Sequence, residues 1–85
     1  MEIFYLTKFM REYKKLSIPI KRLAEKREQI FWMNSYDPRL KTHALQNKLK
    51  EFNVFSINFQ IRVIFEFVDA NTVWSHSIGS HDIYK

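Results

Sequence analysis

The residues of this sequence that are best suited to chemistry are cations and histidines that lie after residue 36. Arg62 interrupts the run 61–68, whose β-branched and aromatic residues otherwise predict a strand in a sheet core. A guanidinium cannot lose its charge and is costly to bury without a partner. Two explanations stay open: Glu66 on the same strand face neutralises Arg62, or Arg62 lies in an open basic cleft.

Such a cleft would have Arg62 at its centre, with further polar side chains on a neighbouring strand and at its rim: Lys48, Lys50, His43, His81 and Tyr84. These groups suit metal-independent cleavage of RNA. A base removes the proton of a ribose 2′-hydroxyl, cations stabilise the phosphorane, and an acid protonates the leaving oxygen. Histidine carries protons near neutral pH, and Tyr84 can stack on an unpaired base. Passive RNA binding uses the same residue types, so it stays open as well.

Other kinds of catalytic site have no support in the sequence. There is no cysteine, and the three histidines show no zinc-like spacing, so we expect neither a metal nor another cofactor. His76 lies between Trp74 and Ile78 on the predicted core face, where a hydrogen-bonded structural histidine is the simpler explanation. The sequence has no glycine-rich phosphate loop and no serine in a nucleophile elbow.

Length and charge limit the class of protein. An 85-residue chain with 46% hydrophobic residues predicts one domain with a modest core. The N-terminus does not resemble a secretion signal and the apolar runs are too short for a bilayer, so we expect a cytoplasmic protein that does not bind membranes. The formal charge is +4 over residues 1–36, +2 over 37–51 and −1 over 52–85, which favours a polyanion or an acidic protein as partner. For residues 1–36 a solvated helix surface is the simpler explanation.

The spacing of apolar residues predicts the elements that hold these groups. The pattern predicts a strand at 2–6 and helices over 7–16 and 17–34, with Thr7 and Ser17 as their caps. Each helix has an apolar face, which predicts an antiparallel hairpin lying on a sheet. A short strand is also predicted around 44–49, and longer alternating strands follow Phe52.

The alternation in the last third of the chain predicts which residues face the helices. The predicted inward residues are Phe55, Ile57, Phe59, Ile61, Val63, Phe65 and Phe67. This requires an odd hairpin loop, 58–60, which sets Ser56 across from Arg62.

A four-residue loop at 69–72 then pairs Val68 with Val73 and sets Gly79 across from Arg62. The same register places a second set of residues on the helix side: Trp74, His76 and Ile78.

A set of ordered segments resembles the RelE/ParE superfamily of toxins, and most closely its RelE/YafQ-like branch. The segments are DPRLKTHAL at 37–45, KLK at 48–50, FSIN at 55–58, RVIF at 62–65 and IGSHDIY at 78–84, with FMREYKKL at 9–16 before the second helix. The resemblance implies an α+β fold in which two N-terminal helices form a hairpin on one face of a twisted, four- to five-stranded antiparallel sheet.

It further implies an endoribonuclease that cleaves mRNA in the ribosomal A site on the 30S subunit. The implied partners are mRNA, the ribosome and a cognate antitoxin, through which the complex binds operator DNA. The implied catalytic residues are Arg62, His81, Tyr84, His43 and Lys50, and the implied RNA or ribosome contacts are Arg39, Lys41, Lys48, Lys50 and Ser56. Ser56 and Gln60 stand where the YafQ-like pattern has a histidine and an aspartate, so proton transfer is expected to fall to His81 or His43.

Two other functions remain open for this resemblance. A ParE-like protein would share the fold and inhibit DNA gyrase without chemistry. A catalytically weak homologue would act mainly by binding its antitoxin.

Overall fold

The computed structural model describes residues 1–45 and 52–80. Its helices are α1 (Thr7–Lys14) and α2 (Ile18–Met33), followed by a single 3₁₀ turn, Pro38–Leu40. Its strands are β1 (Glu2–Tyr5), β2 (His43–Ala44), β3 (Asn53–Ser56), β4 (Arg62–Asp69) and β5 (Thr72–Gly79). The two predicted helices and the predicted first strand are confirmed. The predicted strand at 44–49 overlaps β2 at Ala44, and its residues 46–49 lie outside the described residues.

The helix starts differ in detail from the predicted caps. Leu6 occupies the N-cap of α1, so Thr7 lies inside the first turn. Ser17 does occupy the N-cap of α2, but its side chain makes no capping hydrogen bond. Pro19 in the first turn of α2 needs no helical partner because it has no N–H to satisfy. None of the helices in the described part of the chain is long and apolar enough to cross a membrane.

The five described strands form one sheet in the order β1-β5-β4-β3-β2. Three neighbouring pairs are antiparallel, but β1 pairs with β5 in parallel, so the sheet is mixed where the sequence analysis expected a purely antiparallel one. A parallel pair needs a long crossover, and here the two helices lie in the connection that leads away from β1. Alternation reveals which residues share a strand face, but not the direction of a strand paired with a distant neighbour.

The predicted pairings of Arg62 are confirmed on both sides. Ser56 of β3 and Gly79 of β5 lie directly across from it. The predicted pairing of Val68 with Val73 is wrong, because Val73 pairs with Phe67.

Two register shifts between β4 and β5 explain why the pairing predicted for Val68 is wrong while both pairings predicted for Arg62 are correct. One lies between Phe67 and Asp69 and leaves Val68 as an extra residue of β4; the other leaves His76 as an extra residue of β5. Because one extra residue lies on each strand, the shifts cancel before the sheet reaches Arg62. Between the two shifts, the residues of β5 lie on the opposite face of the sheet from the one predicted. Trp74 is therefore 40% exposed, and the prediction that Trp74 and His76 face the helices is wrong. Ile78, beyond both shifts, is buried as predicted.

The core lies between the helices and the sheet. Phe31 of α2 is at its centre, with ring centroids 4.6 Å from Phe55 and 4.8 Å from Phe65. The buried members of this cluster are Phe9, Ala24, Phe31, Leu40, Phe55, Ile57, Val63, Phe65, Val73 and Ile78. Phe59 was predicted to face inward as well, but it lies in the hairpin loop and is 83% exposed. The loop follows the end of β3 at Ser56, so strand alternation no longer applies to Phe59.

Candidate nucleic-acid interface

Arg62 is half-buried at the start of β4 and is held by three neutral acceptors. Its Nη1 donates to Ser56 Oγ at 2.6 Å and to the carbonyl oxygen of Asn58 at 3.4 Å, and its Nη2 donates to the carbonyl oxygen of Phe59 at 3.2 Å. None of these acceptors carries a charge. These three acceptors therefore fix the guanidinium in place without cancelling its positive charge.

Glu66 does not neutralise Arg62. Its carboxylate lies 2.7 Å from His76 Nε2, and no carboxylate within residues 1–45 and 52–80 forms an ion pair with Arg62. The ring of His76 also packs edge-on against Phe52, with centroids 4.7 Å apart. His76 is thus hydrogen-bonded, as expected of a structural histidine. Of the two explanations for Arg62, the structure favours the open basic site.

The hairpin loop between β3 and β4 holds these acceptors in place. Ile57 N donates to Ile61 O at 2.8 Å, which closes the predicted three-residue loop. The side-chain oxygen of Asn58 accepts from the backbone N–H groups of Gln60 and Ile61 at 2.8 and 2.7 Å. An asparagine that satisfies two loop amides stabilises a tight turn. The carbonyl groups that bind Arg62 therefore belong to a loop that internal hydrogen bonds close.

Arg62 and Ser56 open onto a pocket of about 190 Å³ between the hairpin loop, the 3₁₀ turn and α2. We call it the basic pocket; its lining residues are Arg27, Arg39, Lys41, Ser56, Ile57, Asn58, Phe59 and Arg62. Arg39 and Lys41 were predicted as RNA contacts, and the structure brings both of them together with Ser56 and Arg62. Four cationic side chains around a small pocket favour an anionic ligand.

The charge of Arg39 is balanced within the pocket wall. Its Nε and Nη2 bind the two carboxylate oxygens of Asp37 at 3.0 and 2.9 Å, and Arg39 N donates to the same carboxylate at 2.9 Å. These hydrogen bonds lower the pKa of Asp37 to about 2 and raise the pKa of Arg39. The excess charge of the basic pocket therefore comes from Arg27, Lys41 and Arg62.

Arg27 is a cationic pocket residue that was not predicted from the sequence. It projects from α2, and its Nη1 donates to the carbonyl oxygen of Arg39 at 3.4 Å. A signal was present, because Ala24, Arg27 and Phe31 follow the i, i+3, i+7 spacing of a buried helix face. A cation within that stripe needs a reason, as Arg62 does within its strand.

Five further site residues were predicted from the sequence, and the structure describes one of them, His43. His43 is exposed on β2, where it pairs with Val54 and its Nδ1 lies 2.8 Å from the carbonyl oxygen of Lys41. It does not line the pocket. The other four, Lys48, Lys50, His81 and Tyr84, lie outside the described residues, so their roles stay predictions.

A second concave surface lies between the two helices and the sheet, and it is mainly apolar rather than basic. This groove of about 350 Å³ is mainly apolar; Tyr5, Phe9, Met10, Tyr13 and Lys14 line one side, and Glu25 and Glu28 line the other. Burial raises the pKa of Glu28 to about 7, and the Tyr5 hydroxyl donates a hydrogen bond to its carboxylate. We call it the helix groove. Its acidic residues distinguish it from the basic pocket.

The chain thus has a defined structural class: an α+β fold with two N-terminal helices on a five-stranded mixed sheet, and a basic pocket where the β3–β4 hairpin meets the 3₁₀ turn. No protein-family model and no curated protein sequence matches the chain. Solved structures do match it over nearly its full length.

The structure of YafQ from E. coli BL21(DE3) superposes with a TM-score of 0.80 at 15% identity, covering 98% of this chain and 96% of that one. A YoeB/ParE toxin from Agrobacterium tumefaciens gives a TM-score of 0.80 at 8% identity, with coverages of 95% and 99%. A third match is the heterotetrameric YoeB–YefM toxin–antitoxin complex from Staphylococcus aureus, with a TM-score of 0.77, 18% identity and coverages of 95% and 97%. The predicted RelE-like fold is therefore confirmed.

Proposed function

We propose that this chain is the toxin of a toxin–antitoxin pair, that it belongs to the RelE/YafQ-like branch of the RelE/ParE superfamily, and that it is a ribosome-dependent mRNA endonuclease. The observation that carries the proposal is Arg62, a cation fixed by Ser56 and two loop carbonyls but neutralised by no described carboxylate. A structural arginine in a sheet would be expected to have an anionic partner. One that is positioned by neutral acceptors, with no described carboxylate paired to it, suits a phosphate.

The proposed reaction needs no metal. A base takes the proton of a ribose 2′-hydroxyl, whose oxygen attacks the adjacent phosphorus, and an acid protonates the 5′-oxygen as its bond to phosphorus breaks. We assign to Arg62 the stabilisation of the negative charge that develops on the phosphorane, because a prepositioned donor is most effective there. Lys50 is proposed to share this role. His81 or His43 would transfer the protons, and Tyr84 would orient a base or donate a proton.

The proposed partners follow from the same assignment: mRNA and the 30S ribosome at the A site, a cognate antitoxin, and operator DNA bound through that antitoxin in the cytoplasm. We assign the helix groove to the antitoxin. Its apolar walls suit an amphipathic segment, and Glu25 and Glu28 complement a lysine or arginine on that segment. The YoeB–YefM toxin–antitoxin complex supports the coarser proposal that an antitoxin is a partner.

Primer extension on mRNA from a translating extract tests the proposed activity. The unaltered chain should produce new cleavage sites, and Arg62→Ala should lower their yield by about a hundredfold or more, since one transition-state donor is lost. Arg22→Ala is the matched control, because Arg22 is exposed on α2 and does not line the basic pocket.

Absence of new sites with the unaltered chain would disprove the endonuclease. If purified chain instead inhibited supercoiling by DNA gyrase and left mRNA intact, the ParE-like function would replace it.

A further inference from the structure

The side chain of Phe59 is unusually placed for a large apolar residue. It lies in the hairpin loop between β3 and β4, is 83% exposed, and lines the basic pocket beside Arg62, Arg27 and Lys41. A single exposed apolar side chain is common on protein surfaces and needs no explanation by itself. An exposed aromatic ring at the rim of a cationic pocket is more specific, because it combines a stacking face with charges that suit phosphate.

Hydrogen bonds fix the backbone of Phe59 relative to Arg62. Its carbonyl oxygen accepts from Arg62 Nη2 at 3.2 Å, and the neighbouring Asn58 side chain satisfies two amides of the same loop. The Arg62 guanidinium, which lines the pocket, therefore also holds the loop that carries the ring. A surface prepared in this way loses less conformational entropy when a ligand binds.

We propose that the basic pocket binds single-stranded RNA, with a backbone phosphate at Arg62, Arg27 and Lys41 and an unpaired base stacked on Phe59. The inference rests on the proposed function for the choice of RNA as the polyanion. It adds that the RNA is single-stranded and that Phe59 selects this form. A pocket of about 190 Å³ suits a phosphate with part of its ribose, which leaves the base at the rim where Phe59 lies. Bases inside a duplex already cover one another, so stacking on this ring requires an unpaired base.

Binding of a non-cleavable RNA isolates this step from catalysis. The probe is a fluorescein-labelled RNA hexamer with 2′-O-methyl ribose throughout, which lacks the attacking hydroxyl, and the comparison is the same backbone without bases. Fluorescence anisotropy gives the Kd for each. The unaltered chain should prefer the intact hexamer, and Phe59→Ala should weaken its binding by about tenfold while leaving the abasic backbone unaffected. Phe59→Trp should keep the preference, and Arg62→Ala should weaken the binding of both probes.

Matched controls exclude a folding defect. Met33→Ala removes a side chain that is 87% exposed on α2 and outside the basic pocket, and it should leave both Kd values unchanged. Thermal unfolding of Phe59→Ala should match the unaltered chain, because the ring contributes little to the core.

The inference is overturned if the unaltered chain binds the two probes equally or binds neither, or if Phe59→Ala leaves the preference for bases intact. An exposed ring without that effect would instead be a contact for a protein partner. Primer extension separates this result from the proposed function. If the chain cleaves mRNA but shows no preference for bases that depends on Phe59, the inference alone is overturned. If it shows that preference but does not cleave mRNA, the inference is supported and the proposed endonuclease activity is disproved.

Discussion

Arg62 Nη1 donates a 2.6 Å hydrogen bond to the hydroxyl of Ser56, its directly opposite neighbour in the β3–β4 pair. Ser56 is a buried polar residue, and this bond satisfies its oxygen. A hydroxyl can fix the direction of a guanidinium without cancelling its charge, which a carboxylate would do. At this position the proposed branch has a histidine, so the chain keeps a polar partner for Arg62 while lacking an imidazole there.

Ser56→Ala should separate the positioning of Arg62 from its charge. The substitution removes one of three acceptors, and we expect a loss of about 0.5–1.5 kcal/mol in the free energy of unfolding, as for a typical hydrogen bond. We expect mRNA cleavage to fall by about tenfold or less, since Arg62 keeps its charge and two carbonyl acceptors. Urea unfolding and primer extension measure the two effects. Cleavage as weak as in Arg62→Ala would contradict the expected tenfold or smaller loss. Ser80→Ala is the control, because Ser80 is exposed and lies outside the pocket.

Arg27→Ala should weaken RNA binding through charge alone. We expect the slope of log K against log salt for the 2′-O-methyl hexamer to become shallower by about 0.7, which is the value for one phosphate contact on a single strand. The preference for bases should not change, because Arg27 contacts no base in the proposed arrangement. Anisotropy titrations between about 50 and 200 mM salt measure the slope. Arg22→Ala on the same helix should leave the slope unaltered. An equal change in both variants would mean that α2 contributes only a long-range electrostatic attraction and no specific phosphate contact.

Much of the site's framework could be predicted because it follows from alternation and loop parity. Those rules set Ser56 and Gly79 across from Arg62, and both pairings are present. The second pairing was reached through a wrong intermediate, however. The sequence contains no signal for the extra residues Val68 and His76, and only their cancellation preserved the result.

The basic pocket itself was harder to predict, since three separate elements form it. Arg27 comes from α2, Lys41 from the end of the 3₁₀ turn and Phe59 from a hairpin loop. Periodicity assigns a residue to a face of its own element, but it does not determine which elements meet. Phe59 shows the limit most clearly, because an apolar residue in phase with a strand was assigned to the core although the strand ends before it.

Phe31→Ala should be the most damaging single truncation in the core. Phe31 is 1% exposed and packs against Phe55 and Phe65, so its removal leaves a cavity between α2 and the sheet. We expect a loss of about 3–5 kcal/mol in the free energy of unfolding. In a chain of this size such a loss is a large part of the total stability. Urea unfolding measures it, and Met33→Ala near the end of the same helix should change stability by less than about 0.5 kcal/mol. A small effect of Phe31→Ala would mean that neighbouring rings refill the space.

Glu28 should make the chain less stable as the pH rises above the usual range of a carboxyl group. Burial in the helix groove raises its pKa from 4.5 to about 7, so the folded state retains a proton that the unfolded state has lost. Between these two values the folded state binds more protons, and stability therefore falls as pH rises. Asp37 acts in a different window, because its lowered pKa of about 2 makes stability fall only in strong acid.

We therefore expect the free energy of unfolding to be about 1–2 kcal/mol lower at pH 8 than at pH 5. This difference is smaller than the full shift in the pKa of Glu28 would give, because solvent still reaches part of the carboxyl group. Urea unfolding at the two pH values measures the difference. Glu28→Gln should remove most of it, since the amide mimics the protonated acid at every pH. Glu25→Gln, which changes an exposed residue on the same helix, should not remove the difference.

If the helix groove receives a basic antitoxin segment as proposed, binding should favour ionised Glu28, and the pH dependence of stability should weaken in the complex. An unchanged dependence in the complex would place the antitoxin on another surface.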